Sequence, residues 1–168
     1  DSIKTKQIVK HTPVLDMGIP CIYPQIPGIS SYHNNSIWPF VQSYWTLAAK
    51  KANNDGVYNT YINRSKNYKN VYDKGIGYMR PKLANGEWRT DFDPIDTHGQ
   101  GFIEGNALNY GLYVPQEIDT MIEMMGGKDK FSAHLDYIFN TEIEDKYIEK
   151  NEDITRDGII GNYVQGNE

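Results

Sequence analysis

Gly101-Phe102-Ile103-Glu104-Gly105-Asn106-Ala107-Leu108-Asn109-Tyr110 places a carboxylic acid between glycines, directly ahead of a run that can begin a helix. Glycines let backbone approach a ligand closely. A carboxyl at a loop–helix junction can point into a cleft, and a general acid for glycoside cleavage has to stand in such a place to protonate a departing oxygen. Taken alone, a glutamate near a helix start is more often an electrostatic or capping residue.

Outward from this stretch the chain alternates helices with glycine-rich connections. Downstream, one helix is expected over roughly Ala107–Tyr113. Pro115 is placed to open the next, with Ile118, Met121, Ile122 and Met125 as its apolar stripe and Gly126-Gly127 as its stop. Phe131, Leu135 and Ile138 mark another at i, i+4, i+7 spacing. The charged residues 141–158 read as a surface connection.

Upstream, residues 74–106 are dotted with glycine and irregular, and the Asn85-Gly86 pair is suited to join two short strands. Asp55 is placed to cap a helix with Val57, Tyr58, Tyr61, Ile62, Ser65 and Tyr68 on its buried side, ending near Asp73. An earlier helix starts near Ser36. Pro39 falls in its first turn, and Ile37, Val41, Tyr44, Trp45, Ala48 and Ala52 recur at helical spacing. Pro13, Pro20, Pro24 and Pro27 keep residues 1–35 out of helix. The expected class is all-α, part of an (α/α)6 toroid with glycine-rich loops at one mouth and a short β-hairpin. Fewer helices are visible than six hairpins require, so the chain reads as part of a catalytic domain.

Bulk properties exclude several functions. Net charge is −5 with no basic run, which argues against nucleic acid, whose phosphates need clustered Lys and Arg. No stretch approaches ~18 apolar residues, so no membrane span is expected. Cys21 is the single cysteine and has no internal partner. No Cys/His group has zinc spacing. Thirteen Tyr and three Trp mark a folded chain and suit sugar binding, since apolar sugar faces stack on rings, although any one of them is more simply a core residue.

The ordered run of motifs resembles the calcium-dependent α-mannosidases of glycoside hydrolase family 92. It comprises Asn67-Tyr68-Lys69-Asn70-Val71-Tyr72-Asp73, Gly77-Tyr78-Met79-Arg80, Phe92-Asp93-Pro94, then the Gly101–Tyr110 stretch, Val114-Pro115 and Met124-Met125-Gly126-Gly127. Tyr163-Val164-Gln165-Gly166-Asn167-Glu168 is similar to the family's Tyr-x-His-Gly-Asn-Glu run. The likeness covers roughly residues 55–168. Two departures stand out: Gln165 replaces a usual His, and Leu108 an aromatic.

The resemblance implies a fold and a chemistry. Its members are six-hairpin, inverting, exo-acting enzymes. Glu104 then matches the general acid, and Asn106 and Tyr110 join the substrate contacts. Asn167 and Glu168 match calcium ligands, oxygen donors suited to a hard cation. The substrate would be an oligosaccharide or N-glycan mannoside, met in a secreted or periplasmic location, although this chain carries no signal peptide. The Asp-rich loop that supplies the general base should lie beyond Glu168. Asp91, Asp93 and Asp96 read as structural or substrate-side residues, and no base is nominated from them.

Residues 1–54, a Pro-rich loop and a Trp-Pro helix, are similar to other six-hairpin glycosidases. Tyr32-His33-Asn34 leading to Trp38-Pro39 makes His33 and Trp38 candidates for a sugar-binding rim, against capping and core packing as the plainer roles. Two alternatives therefore stand beside a mannosidase. One is a debranching or rhamnosidase-like six-hairpin enzyme. The other is a non-catalytic, carbohydrate-binding helical module.

Overall fold

The computed structural model describes residues 22, 26–29, 37–102, 105–148, 156, 159–161 and 163. These are mostly helical, with one two-stranded sheet. The chain forms two compact units, residues 1–66 and 67–168.

The described part of the first unit is dominated by a helical hairpin. Helix α1 spans Pro39–Lys51, with Pro39 at its start and extended Trp38 as the residue before it. Lys50 and Lys51 lie in the last turn, where positive charge suits the helix dipole. Asn53 (φ 56°) turns the chain left-handed. Asn54 then caps α2, Asp55–Arg64, its side chain accepting from Val57 N–H at 3.2 Å. Asn54, and not Asp55, is thus the cap. The expected stripe of α1 holds at Trp45, fails at Tyr44 and misses Ala49. Trp45 and Ala49 are buried, whereas Tyr44 is 68% exposed. Trp45 and Ala49 are four apart and share a face, and Trp45 packs with Tyr61 and Val57 of α2. Tyr44 is turned about 100° from that face.

Helix α2 ends at Arg64, well before Asp73. Ser65 Oγ donates to Ile62 O at 2.7 Å and Lys66 N–H to Asn63 O at 3.2 Å, tightening the last turn to three-residue spacing. The second unit begins with a 3-10 turn, Asn67–Asn70. Strand β1 (Tyr72–Asp73) pairs antiparallel with β2 (Tyr78–Met79), Tyr72 opposite Met79 and Asp73 opposite Tyr78. Arg80 clamps the pair, its guanidinium 2.9 Å from Asp73 Oδ2 and its N–H on Val71 O at 2.8 Å. The hairpin expected at Asn85-Gly86 is a turn closed by a single bridge, Lys82 opposite Trp88.

Tyr72 and Met79 pack with Val114 and Met121 in the largest buried cluster of this unit. Burying such side chains contributes about 1.5–3 kcal/mol each. The helices around it are α3 (Ala107–Tyr110), α4 (Ile118–Met124) and α5 (Lys128–Asn140). Helix α4 starts after, not at, Pro115. Glu117, just before it, turns its carboxylate to Tyr68 Oη (2.9 Å) and Lys69 Nζ (3.0 Å). Ile138 on α5 is 1% exposed. Part of the expected surface connection is anchored instead. Ile143 and Ile148 are buried against Ile95, Tyr147 and Ile159, around a 3-10 turn at Asp145–Tyr147.

Candidate active site

Residues Gly105–Tyr110 form a supported helix start. Asn106 is fully buried and extended (φ −135°, ψ 178°), the conformation of a helix cap. Its Oδ1 accepts from Asn109 N–H at 3.3 Å, and its Nδ2 donates to Ile95 O at 2.9 Å. Ala107 N–H reaches Pro94 O at 3.1 Å. Residues 93–97 therefore lie along the start of α3.

Glycine is required at both flanks. A Cβ on Gly105 would stand 2.5 Å from the Tyr110 ring, so that ring is laid directly on the backbone. Gly101 has φ +91°, and a Cβ there would meet Pro81 Cγ at 2.8 Å. Between them, Phe102 stacks on Tyr110 with planes 4° apart and centroids at 6.4 Å.

The acids upstream stabilise loops. Asp91 takes Arg89 with both oxygens, at 2.9 and 3.1 Å, and that bonding holds its carboxyl below the usual range. Asp93 Oδ1 accepts from Ile95 N–H and Asp96 Oδ1 from His98 N–H, each closing a short turn. Asp93 N–H donates to Gln100 Oε1 at 3.1 Å. Buried Thr97 gives both its N–H and its hydroxyl to Tyr147 O, fastening the loop to the anchored segment.

Two open grooves flank Tyr110. One, of about 460 Å³, is lined by Asn109, Tyr110, Tyr113, Leu135, Phe139 and Tyr163. The other, of about 280 Å³, is bounded by Tyr68, Arg80, Pro81, Gly101, Phe102 and Tyr110. Tyr110 is 42% exposed and Tyr113 67%, so both side chains reach solvent. Aromatic walls with few polar groups suit an amphipathic ligand.

Of the expected site residues, the structure brings Asn106 and Tyr110 together in this turn. Trp38 precedes α1 in the first unit, half-buried, its carbonyl accepting from Val41 and Gln42 N–H. Glu104, His33, Asn167 and Glu168 lie outside the described residues. Among the described residues no three His, Cys, Asp or Glu side chains gather as a metal site, and no helix is long and apolar enough to cross a membrane. Sequence reasoning passed over Phe102, Arg80 and His134. His134 sits on α5 beside Leu135, between Phe131 and Ile138, where a histidine reads as core.

A helical chain carrying a glycine-flanked, ring-walled turn is the kind of frame a glycosidase uses. The glycosyl hydrolase family 92 catalytic-domain model matches residues 42–168, and the chain belongs to that family. The family GH92 α-mannosidase BT3965 from Bacteroides thetaiotaomicron is similar at 33% identity and TM-score 0.60, over 74% of this chain and 16% of that one. Its complex with mannoimidazole aligns at 33% identity and TM-score 0.63, over 77% of this chain and 18% of that one. The family GH92 inverting mannosidase BT2199 from the same species (strain VPI-5482) aligns over 90% of this chain and 22% of that one at TM-score 0.60. Its 21% identity speaks to the fold alone. An uncharacterized secreted glycosidase of Arthroderma benhamiae is 28% identical over 106 residues, 49% of this chain and 14% of that protein. The chain thus spans under a quarter of the length of each of these relatives.

Proposed function

We propose that the chain is part of the (α/α)6 catalytic toroid of a calcium-dependent, inverting exo-α-mannosidase. The enzyme acts on terminal mannose of oligosaccharide or N-glycan α-mannosides, outside the cytoplasm. The observation that carries this reading is the family motif at residues 101–110, whose described part, Gly105–Tyr110, is a capped helix start with the Tyr110 ring against Gly105. Likeness to α-mannosidases at 33% identity supports the substrate class, and likeness to a secreted glycosidase supports the location.

In this mechanism Glu104 gives its proton to the glycosidic oxygen as the bond to the anomeric carbon breaks. Water attacks from the opposite face and surrenders a proton to a second carboxylate. Inversion requires that carboxylate roughly 6.5–9.5 Å from Glu104, leaving room for the water. That role is assigned to an Asp-rich loop of the kind the family resemblance implies. Tyr110 offers its exposed ring to the sugar, and His33 and Trp38 contribute to the rim. Asn106, which the sequence puts among substrate contacts, serves the substrate by holding the turn. Asn167 and Glu168 are assigned to calcium, which when bound would grip the sugar's 2- and 3-hydroxyls.

Mannose release from α-1,2-mannobiose by the full-length enzyme tests the proposal, with and without chelator. Activity that needs calcium and is lost in Glu104→Gln is the expected result. Full activity in either condition overturns the assignment. Cleavage of glucosides or rhamnosides in place of mannosides would move the enzyme to the other six-hairpin class.

A further inference from the structure

We infer that Asn85 is a modification site, losing its side-chain amide to the Gly86 nitrogen through a succinimide, and that the Glu87 carboxylate slows the loss. This goes beyond the mannosidase reading and needs no catalysis by the enzyme.

The reacting atoms sit together on an exposed turn. Asn85, Gly86 and Glu87 all face solvent. Gly86 has φ +85°, which suits glycine, and a Cβ there would meet nothing within 4 Å, so no neighbour crowds the nitrogen that attacks. Gly86 N–H on Leu83 O at 2.9 Å and Leu83 N–H on Glu87 O at 2.8 Å close the turn.

Water is the only co-reactant. Gly86 N gives its proton to solvent and forms a bond to Asn85 Cγ. The Cγ–Nδ2 bond breaks, and Nδ2 takes up a proton and leaves as ammonia. Water then opens the ring at either carbonyl, leaving aspartate or isoaspartate.

Glu87 acts on this chemistry from two sides. Its backbone N–H donates to Asn85 Oδ1 at 3.0 Å, which draws electrons from Cγ and favours attack. Its carboxylate works the other way. Oε2 accepts from Asn85 Nδ2 at 2.7 Å, a charge-assisted bond that fixes the amide and keeps electrons on the nitrogen that has to leave. The same negative charge opposes the charge that builds as Gly86 N loses its proton. Gly86 N–H is itself engaged on Leu83 O, so attack waits for the turn to open.

The site matters to its surroundings. Isoaspartate adds a carbon to the backbone of the turn and breaks its pairing. Arg80 and Pro81, which bound the smaller groove beside Tyr110, lead into this hairpin, and Arg89 N–H lies on Pro81 O at 3.0 Å. Lost pairing at the turn therefore loosens one wall of that groove.

The test incubates the full-length enzyme at mildly alkaline pH and follows the Asn85-Gly86 peptide by mass spectrometry, which reads the exchange of amide for carboxyl. Four samples are compared: folded wild type, wild type unfolded in guanidinium, Glu87→Ala and Glu87→Gln. Folded wild type should react at least roughly 10-fold more slowly than the unfolded chain. Glu87→Ala, with a melting curve like that of wild type, should react roughly 2–10-fold faster than folded wild type. Gln keeps an acceptor for Nδ2 without the charge, so its rate should fall between. A wild-type rate in the Ala variant overturns the role of Glu87, as does an acceleration equal in both variants that simply follows their melting temperatures. Equal rates in folded and unfolded wild type refute the restraint by the turn. The absence of any Asn85 product from the unfolded chain overturns the site itself.

Discussion

The α1–α2 hairpin and the turn at residues 105–111 are built on opposite principles. In the hairpin, Trp45 and Tyr61 are each 5% exposed and pack together, yet neither Trp45 Nε1 nor Tyr61 Oη has a hydrogen-bond partner among the described residues. In the turn, both ends of the buried Asn106 amide are engaged, and the neighbouring loop is pinned at Pro94, Ile95 and Thr97. The first holds by apolar contact, which is non-directional and tolerates small shifts. The second holds by directed bonds, which fix position to fractions of an ångström.

Substitutions can break this contrast, beginning with the largest effect. Glu104→Gln in the full-length enzyme should lower mannose release by roughly 10²–10⁴-fold while leaving the melting curve in place. Steady-state kinetics beside calorimetry would expose any loss that is really unfolding. Asn106→Leu removes a cap and takes the partner from the half-buried Ile95 carbonyl, so stability should fall by about 1–3 kcal/mol in urea titration. A loss under 1 kcal/mol, on the order of one weak hydrogen bond, would mean that the turn does not depend on its directed bonds. Gly105→Ala drives a methyl into the Tyr110 ring and should cost about 1–3 kcal/mol, with KM rising as the ring is displaced.

Acidification gives a subtler effect. The folded pKa of His134 lies below its ordinary value, so the unfolded chain binds the proton first. The His134 contribution to stability is intact above about pH 6.5 and declines as pH falls toward the folded value. Wild type should therefore lose more stability on acidification than His134→Gln in paired thermal melts. The smallest effect belongs to the hairpin. Tyr61→Phe deletes a buried hydroxyl that finds no partner there, and should change stability by less than about 1 kcal/mol, in the stabilising direction if at all. A large loss would mean that the hairpin is as bond-directed as the turn.

What the sequence disclosed follows the same division. Period-3.6 spacing exposed α5 through Phe131, Leu135 and Ile138, and Asp55, expected as a cap, lies one residue from the observed cap Asn54. Directed contacts left weaker traces. The strands Tyr72–Asp73 and Tyr78–Met79 are two residues each, too short for any alternation to show. Residues 141–148 looked solvated because Glu142, Glu144, Asp145 and Lys146 outnumber the two isoleucines that are buried. Asn106 was legible as a motif residue, yet its bond to Ile95 depends on a loop approach that spacing cannot reveal. His134 hid for the opposite reason, since a histidine on an apolar stripe is commonly just core.

The bond from Thr97 to the Tyr147 carbonyl spans 50 residues of sequence. A ribosome releases the chain in order, at about 5–20 residues per second. The glycine-flanked turn is therefore complete in covalent terms several seconds before the residue that fastens its neighbouring loop has emerged. During that interval the nascent chain holds every atom of the turn and lacks its latch, so the loop beside the turn matures only once the far end of this segment has been made.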